Sequence, residues 1–142
     1  MDAFEARVRF TDARVGHLAT VGPDGRPHVV PFVFAVEGDV IYWAVDEKPK
    51  RSRRLKRLEN LRANPNAEVV ADRYDEDWSA LWWVRARGRA RILEDGEEVT
   101  VAAAALAGKY ARYAERPPGG PYVAIDVEAW SWWSSAEPGS DG

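Results

Sequence analysis

Apolar and polar positions change period several times along the chain, and each change marks an element. Residues 2 to about 12 place Phe4 and Val8, with Thr11 at the margin, on one side at helical spacing. That pattern predicts a short amphipathic opening helix that turns this side toward the protein as a lid. The run GHLATVGPDGRPHVVPFVF holds two β-rich stretches around Gly22-Pro23-Asp24-Gly25. Proline sets one turn dihedral there and glycine accepts positive φ, so a hairpin is predicted. With a tight turn, His28 falls opposite Ala19 and His17 lies one diagonal step away. Val40 to Val45, after the Gly38-Asp39 turn, predicts a third strand adjoining the second.

Leucines at 55, 58 and 61 then replace the β pattern until Asn64-Pro65 stops a helix that Ser52 is placed to cap. Ala67 to Arg73 predicts a fourth strand and Trp82 to Leu93 a long fifth one. In the fifth, Arg85, Arg87, Arg89 and Arg91 alternate with small apolar residues, giving one cationic face and one apolar face. Glu97 to Ala107 is an alanine-rich helix, and Tyr122 to Trp133 a closing strand. The prediction is a mainly β, α+β fold: a six-stranded antiparallel barrel with two to four peripheral helices. Residues 1–136 are expected to form a single domain and residues 137–142 a frayed tail.

Composition narrows the function classes. The 142 residues contain no cysteine, which removes disulfides, thiolate catalysis and the common zinc sites, and suits a reducing compartment; the cytoplasm is the expected location. No stretch is apolar enough for a signal peptide or a membrane span, so no membrane partner is expected. The formal net charge of -3 argues against a general nucleic-acid binder, which needs a broad basic surface. Seven tryptophans are many for this length and suit a flat ligand site, a subunit interface or simply the core.

Against the acidic background, KPKRSRRLKRLENLRANP at 48–65 concentrates cations. With Leu55 at zero on a helical wheel, Leu58 and Leu61 fall at about 300° and 240°, and Arg51 and Arg54 share their stripe. Arg53, Lys56 and Arg57 fall on the opposite, solvent side. Backbone N–H groups and the helix dipole already favour an anion at such a first turn. A phosphate there could gather Arg51, Arg54, Ser52 and Lys48 or Lys50; the competing arrangement pairs Arg54 with Asp46 or Glu68. The two histidines, without a cluster of acidic side chains or cysteines nearby, do not make a metal site. No phosphate-binding glycine loop, hydrolytic triad or HExxH motif is present, so any chemistry is borrowed from a cofactor.

GHLATVGPDGRPHVVPF, VIYWAV, KPKRSRRLKRLENLRANPNAEVV and WWVRARGRARIL together resemble the pyridoxamine 5'-phosphate oxidase-like, FMN-binding split β-barrel superfamily (the PPOX class), from about Val15 to Trp133. Within it the chain is similar to the oxidoreductases that use the deazaflavin coenzyme F420. The hairpin motif is shared by flavin and deazaflavin members, while the KRSRRLKRLENLRANP helix leans to the deazaflavin branch. The resemblance implies a homodimer with two cofactor sites at the subunit interface. It implies a tricyclic ring against His28, Val29, Val30, Pro31, Tyr42, Trp43 and Ala44, and a phosphate at Lys48, Lys50, Arg51, Ser52, Arg54 and Leu55. The partner chain would close the pocket with the Trp78–Trp83 region or the C-terminal tryptophans. The implied reaction is hydride transfer between the reduced deazaflavin and a small organic substrate, with His28, Tyr42 or solvent as proton donor. The alternatives are an FMN-binding flavoprotein of the same fold and a non-catalytic cofactor- or haem-binding protein. The C-terminus WSWWSSAEPGSDG lacks the arginine- and histidine-bearing tail of a vitamin B6 oxidase, which argues against B6 chemistry.

Overall fold

The computed structural model describes residues 1–45 and 52–136, with the side chains of 52–55 left out. The expected tail at 137–142 lies outside the described residues. The elements run α1 (Ala3–Asp12), β1 (Gly16–Val21), β2 (Pro27–Phe32), β3 (Ala35–Glu37), β4 (Val40–Ala44), α2 (Ser52–Ala63), β5 (Asn66–Arg73), β6 (Trp82–Leu93), α3 (Glu97–Lys109), α4 (Ala111–Glu115) and β7 (Tyr122–Ser134). All strand pairs are antiparallel, in the order β2-β1-β5-β6-β7-β4-β3.

Among the described residues the six-strand barrel is therefore corrected to a seven-stranded open sheet with four helices packed on it. The sheet curls, since the Phe32 ring of β2 meets the Trp43 ring of β4 edge-on at 6.2 Å, but no ladder among the described residues closes it. Pro27 and Pro31 explain one end: β2 is an edge strand, and prolines withhold two ladder donors from any further neighbour. The extra strand arises because the chain bends after β2, where Phe34 is clamped. The Phe34 N–H donates to the Tyr110 hydroxyl at 3.2 Å, and its carbonyl accepts from Lys109 Nζ at 2.9 Å. Ala35–Glu37 then pairs with β4, so β4 lies between β3 and β7 rather than beside β2.

The hairpin forms where expected, with Gly25 N–H donating to the Gly22 carbonyl at 2.9 Å and Gly25 at φ 82°. Its loop is one residue longer than a tight turn allows, because Arg26 belongs to it and Val21 pairs with Pro27. His28 consequently opposes Thr20, not Ala19. A slip of one residue exchanges faces, so His28 points to the core side while His17 lies on the other face.

The opening helix buries a different stripe from the predicted one. Ala6 and Phe10 are inside, Phe10 fully, whereas Phe4 is 77% exposed. The reason is tertiary: Phe10 packs edge-on against Trp130 and obliquely against Phe34, both at 5.0 Å between centroids, and aromatic area outweighs the Phe4/Val8 spacing. Asp2 caps the helix by accepting from Glu5 N–H at 2.8 Å.

The long β6–β7 ladder carries a bulge between Arg87 and Gly88. A side chain at Gly88 would overlap the Asp126 carbonyl, with 2.9 Å to the carbonyl carbon, so close backbone approach requires glycine there.

Candidate functional site

Two clefts flank the β2 edge. The smaller, of about 140 Å³, is lined by Pro31, Phe32, Val33, Trp43, Ala44, Arg57 and Tyr113. Its floor follows from strand alternation: on β4, Ile41 and Trp43 point into the main core while Tyr42 and Ala44 point to the α3–α4 side. Over the floor lies Arg57 of α2, its guanidinium carbon 4.8 Å from the centroid of the Trp43 ring. A planar cation on an indole face is a favourable electrostatic contact, and it holds one positive charge at the mouth of the cleft. The Trp43 indole N–H is buried without an acceptor among the described residues.

Arg57 was assigned to solvent on the wheel and is instead half-buried. The helix buries Leu58 and Leu61 as expected, but also Asn60, 1% exposed, which donates to the Thr20 hydroxyl at 3.1 Å. Asn60 widens the buried stripe of Leu58 and Leu61 toward Arg57. No apolar pattern reveals a polar residue in a core stripe, so sequence reasoning missed both. Lys56 is exposed, as the wheel has it. Tyr113 reaches the cleft from α4, about seventy residues away in sequence from Trp43, and no local signal announces it.

The larger cleft, about 400 Å³, lies on the opposite sheet face, between residues of β1, β2, β5 and β6 that include His17, Ala19, Val29, Val70 and Arg85. The cleft itself is lined mainly by apolar atoms, and among the described residues no helix covers it; Val29 is 62% exposed. Trp83 and Trp133, paired across β6 and β7, continue the same face, with Arg85 stacked 5.1 Å from Trp83. Glu68, a candidate partner for Arg54, forms an ion pair with Arg85 at 3.6 Å.

The expected ring-binding set is thus divided. Pro31, Trp43 and Ala44 meet in the small cleft, and Val29 lines the large one. Val30 packs against the core. His28 is half-buried on the core side, its Nδ1 without a hydrogen-bond partner among the described residues. Tyr42 is buried on the α3 side, where its hydroxyl donates to Glu98 Oε2 at 2.8 Å. Burial first, and the Glu98 hydrogen bond second, push the Tyr42 phenol up to about 12. Arg91 grips Glu98 at 2.7 and 3.0 Å and Asp126 at 2.6 and 2.9 Å; its bonds to Glu98, and then the Tyr42 hydroxyl, hold the Glu98 carboxyl down at about 2. Tyr42 therefore ties β4 to α3 and does not face the Trp43 cleft. Of the phosphate set, Lys48, Lys50 and Arg51 lie outside the described residues; Ser52, Arg54 and Leu55 are in the first turn of α2, their side chains undescribed.

The sequence pattern of the family described as pyridoxamine 5'-phosphate oxidase matches residues 3–134. The chain belongs to this family. Solved structures share the fold. A conserved hypothetical protein from Mycobacterium tuberculosis superposes with a TM-score of 0.77 at 23% identity, covering 95% of this chain and 86% of that one. A heme binding protein from Mycobacterium smegmatis gives 0.76 at 21%, covering 97% of this chain and 55% of its own length. A FAD-binding protein from Mesorhizobium loti gives 0.70 at 25%, covering 93% and 94%. No protein of curated description is significantly similar in sequence. Among the described residues, no helix of this pyridoxamine 5'-phosphate oxidase family member is long and apolar enough to cross a membrane.

Proposed function

We propose that the chain binds a flavin-type cofactor at the small cleft and the adjoining start of α2, and acts as an oxidoreductase on a small organic substrate. The observation that carries this reading is Arg57 laid over Trp43 beside Pro31 and Ala44, a few residues in sequence after Lys48, Lys50, Arg51, Ser52 and Arg54. An aromatic floor with a fixed cation suits a cofactor that joins a flat ring to an anionic tail. The Mesorhizobium loti protein, named for FAD binding and matching over nearly the full length of both chains, supports a flavin. FMN accordingly stands ahead of the deazaflavin F420, which would use the same phosphate seat.

The fit is partial within one chain. Small-molecule sites span roughly 300–1,000 Å³, and the cleft offers about 140 Å³. A second copy docked through the face of Val29, Trp83 and Trp133 would make the homodimer the resemblance implies, and partner residues reaching round the β2 edge would supply the missing wall of the small cleft. The bound ring would supply the hydride transfer. The chain's part is to hold the tail with Arg54 and Arg57, to orient the ring and to exclude water.

Titration of the purified protein with FMN, FAD and F420, followed by tryptophan quenching, tests the reading, with sedimentation for the dimer. FMN is expected to bind more tightly than F420, and Arg54→Ala to weaken it while Lys56→Ala leaves it within twofold. Quenching by none of the three overturns the proposal. A Soret band on adding haem, lost in His28→Ala, would replace it with a haem-binding role for His28, whose Nδ1 has no hydrogen-bond partner among the described residues.

A further inference from the structure

Away from this site, a cleft of about 440 Å³ lies between α1 and the end of the sheet where β5, β6 and β7 run side by side. Three of the residues that line it form one row across the strands: Arg73 of β5 is paired with Trp82 of β6, and Trp82 with Ser134 of β7. Residues directly opposite one another on neighbouring strands share a face, so the three side chains point the same way, into the cleft. Arg9 comes down on them from α1, its guanidinium carbon 5.8 Å from the centroid of the Trp82 ring.

The donors gathered here are uncommitted. Among the described residues Arg9 has no hydrogen-bond acceptor, and its ion pair with Glu5 of the same helix is long, at 3.9 Å. Arg73 spends Nη2 on Asp75 Oδ2 at 2.9 Å, which leaves its Nε and Nη1 without an acceptor among the described residues. Ser134 is 3% exposed; its Oγ accepts from the Ala136 N–H at 3.2 Å, while its own O–H donates to no described residue. Asp12 also lines the cleft, and no described arginine pairs with it.

We propose that this cleft binds a small organic monoanion, a carboxylate carried on an apolar body, at a site separate from the cofactor cleft. The carboxylate accepts from Arg9 and Arg73, with the Ser134 hydroxyl as a third donor; guanidinium forks match carboxylate oxygens in pairs. The Trp82 ring holds the Arg9 guanidinium in place before the ligand arrives, which lowers the entropy lost on binding. Ala13 and Leu81 line the same space and receive the apolar body. Two arginines less Asp12 leave a single positive charge, which suits a carboxylate better than a doubly charged phosphate. The volume lies within the roughly 300–1,000 Å³ usual for small-molecule sites.

Calorimetric titration of the full chain tests this, with benzoate as the probe, benzamide as its uncharged counterpart and inorganic phosphate as the competing anion. Benzoate should bind with a Kd of about 1 mM or below, and benzamide at least about tenfold more weakly. Arg9→Met, which keeps an unbranched apolar stem beside Trp82, and Arg73→Gln should each weaken benzoate about tenfold. Arg57→Ala, in the other cleft, should leave benzoate within about twofold. Circular dichroism checks that each variant is folded, and the indole N–H resonance of Trp82 should shift as benzoate is added. Absence of benzoate binding, benzamide or phosphate binding as tightly as benzoate, or a loss in Arg57→Ala without one in Arg9→Met and Arg73→Gln would overturn the proposal.

Discussion

Replacing Arg57 with alanine probes the link between α2 and the Trp43 cleft most directly. The guanidinium lies 4.8 Å from the Trp43 centroid and is half-buried, so losing this stacking should cost about 1 kcal/mol of stability. For a domain of this size that lowers Tm by about 2–4 °C. Binding is affected more. A charge-assisted hydrogen bond to a cofactor phosphate contributes about 1.5–3 kcal/mol, and each 1.4 kcal/mol is tenfold in Kd. Arg57→Ala should therefore weaken FMN about 10- to 150-fold, and Arg57→Lys, which keeps the charge without the planar stacking, should fall between the two. Lys56→Ala, one residue away and exposed, is the control. Titration by tryptophan quenching gives Kd, and far-UV circular dichroism confirms that each variant is folded. Arg57→Ala binding FMN within twofold of the parent, or losing no more affinity than Lys56→Ala, would refute the placement of the anionic tail.

The remaining predictions concern the scaffold. Gly88→Ala must push the Asp126 carbonyl aside at the bulge and should destabilise the chain by about 1–3 kcal/mol in urea unfolding; an unchanged midpoint would show that the strands are not so close. Phe10→Ala empties a fully buried aromatic site and should cost about 3–5 kcal/mol, while Phe4→Ala, being exposed, should stay within about 0.5 kcal/mol; the reverse order in denaturant melts would restore the helix face read from sequence. Glu98 has its carboxyl held at about 2, below the unfolded value near 4.3. Its stabilising effect is thus present above about pH 4.5 and lost as pH falls toward 2. Arg91→Met should narrow that acid dependence in melts between pH 2 and 7, and an unchanged profile would remove Arg91 as its cause.

Local chemistry was legible from the sequence wherever it acts over a few residues. Proline and glycine at 22–25 made the hairpin, Asn64-Pro65 ended α2, and strict alternation from Trp82 to Leu93 defined β6, because turn dihedrals and side-chain periods are set by neighbours. The order of the sheet was not legible. A three-residue strand at Ala35–Glu37 exists because Tyr110 and Lys109, some seventy-five residues later, clamp Phe34 and turn the chain. The one-residue register difference at His28 came from whether Arg26 belongs to loop or strand, and it decided which face each histidine occupies.

The candidate site divides in the same way. Pro31, Trp43 and Ala44 were named only through the resemblance to a known family, whereas the cationic segment at 48–57 was visible directly, because charge density is a property of composition. That Arg57 covers Trp43, that Tyr42 is spent on Glu98, and that Tyr113 joins the cleft are facts of packing between elements far apart in the chain. The helix wheel erred at Arg57 since a hydrophobic period cannot reveal a buried asparagine, and Asn60 is inside only because Thr20 on β1 offers it an acceptor. Sequence set the elements and their chemistry; the three-dimensional neighbours of each side chain decided which of those chemistries meet.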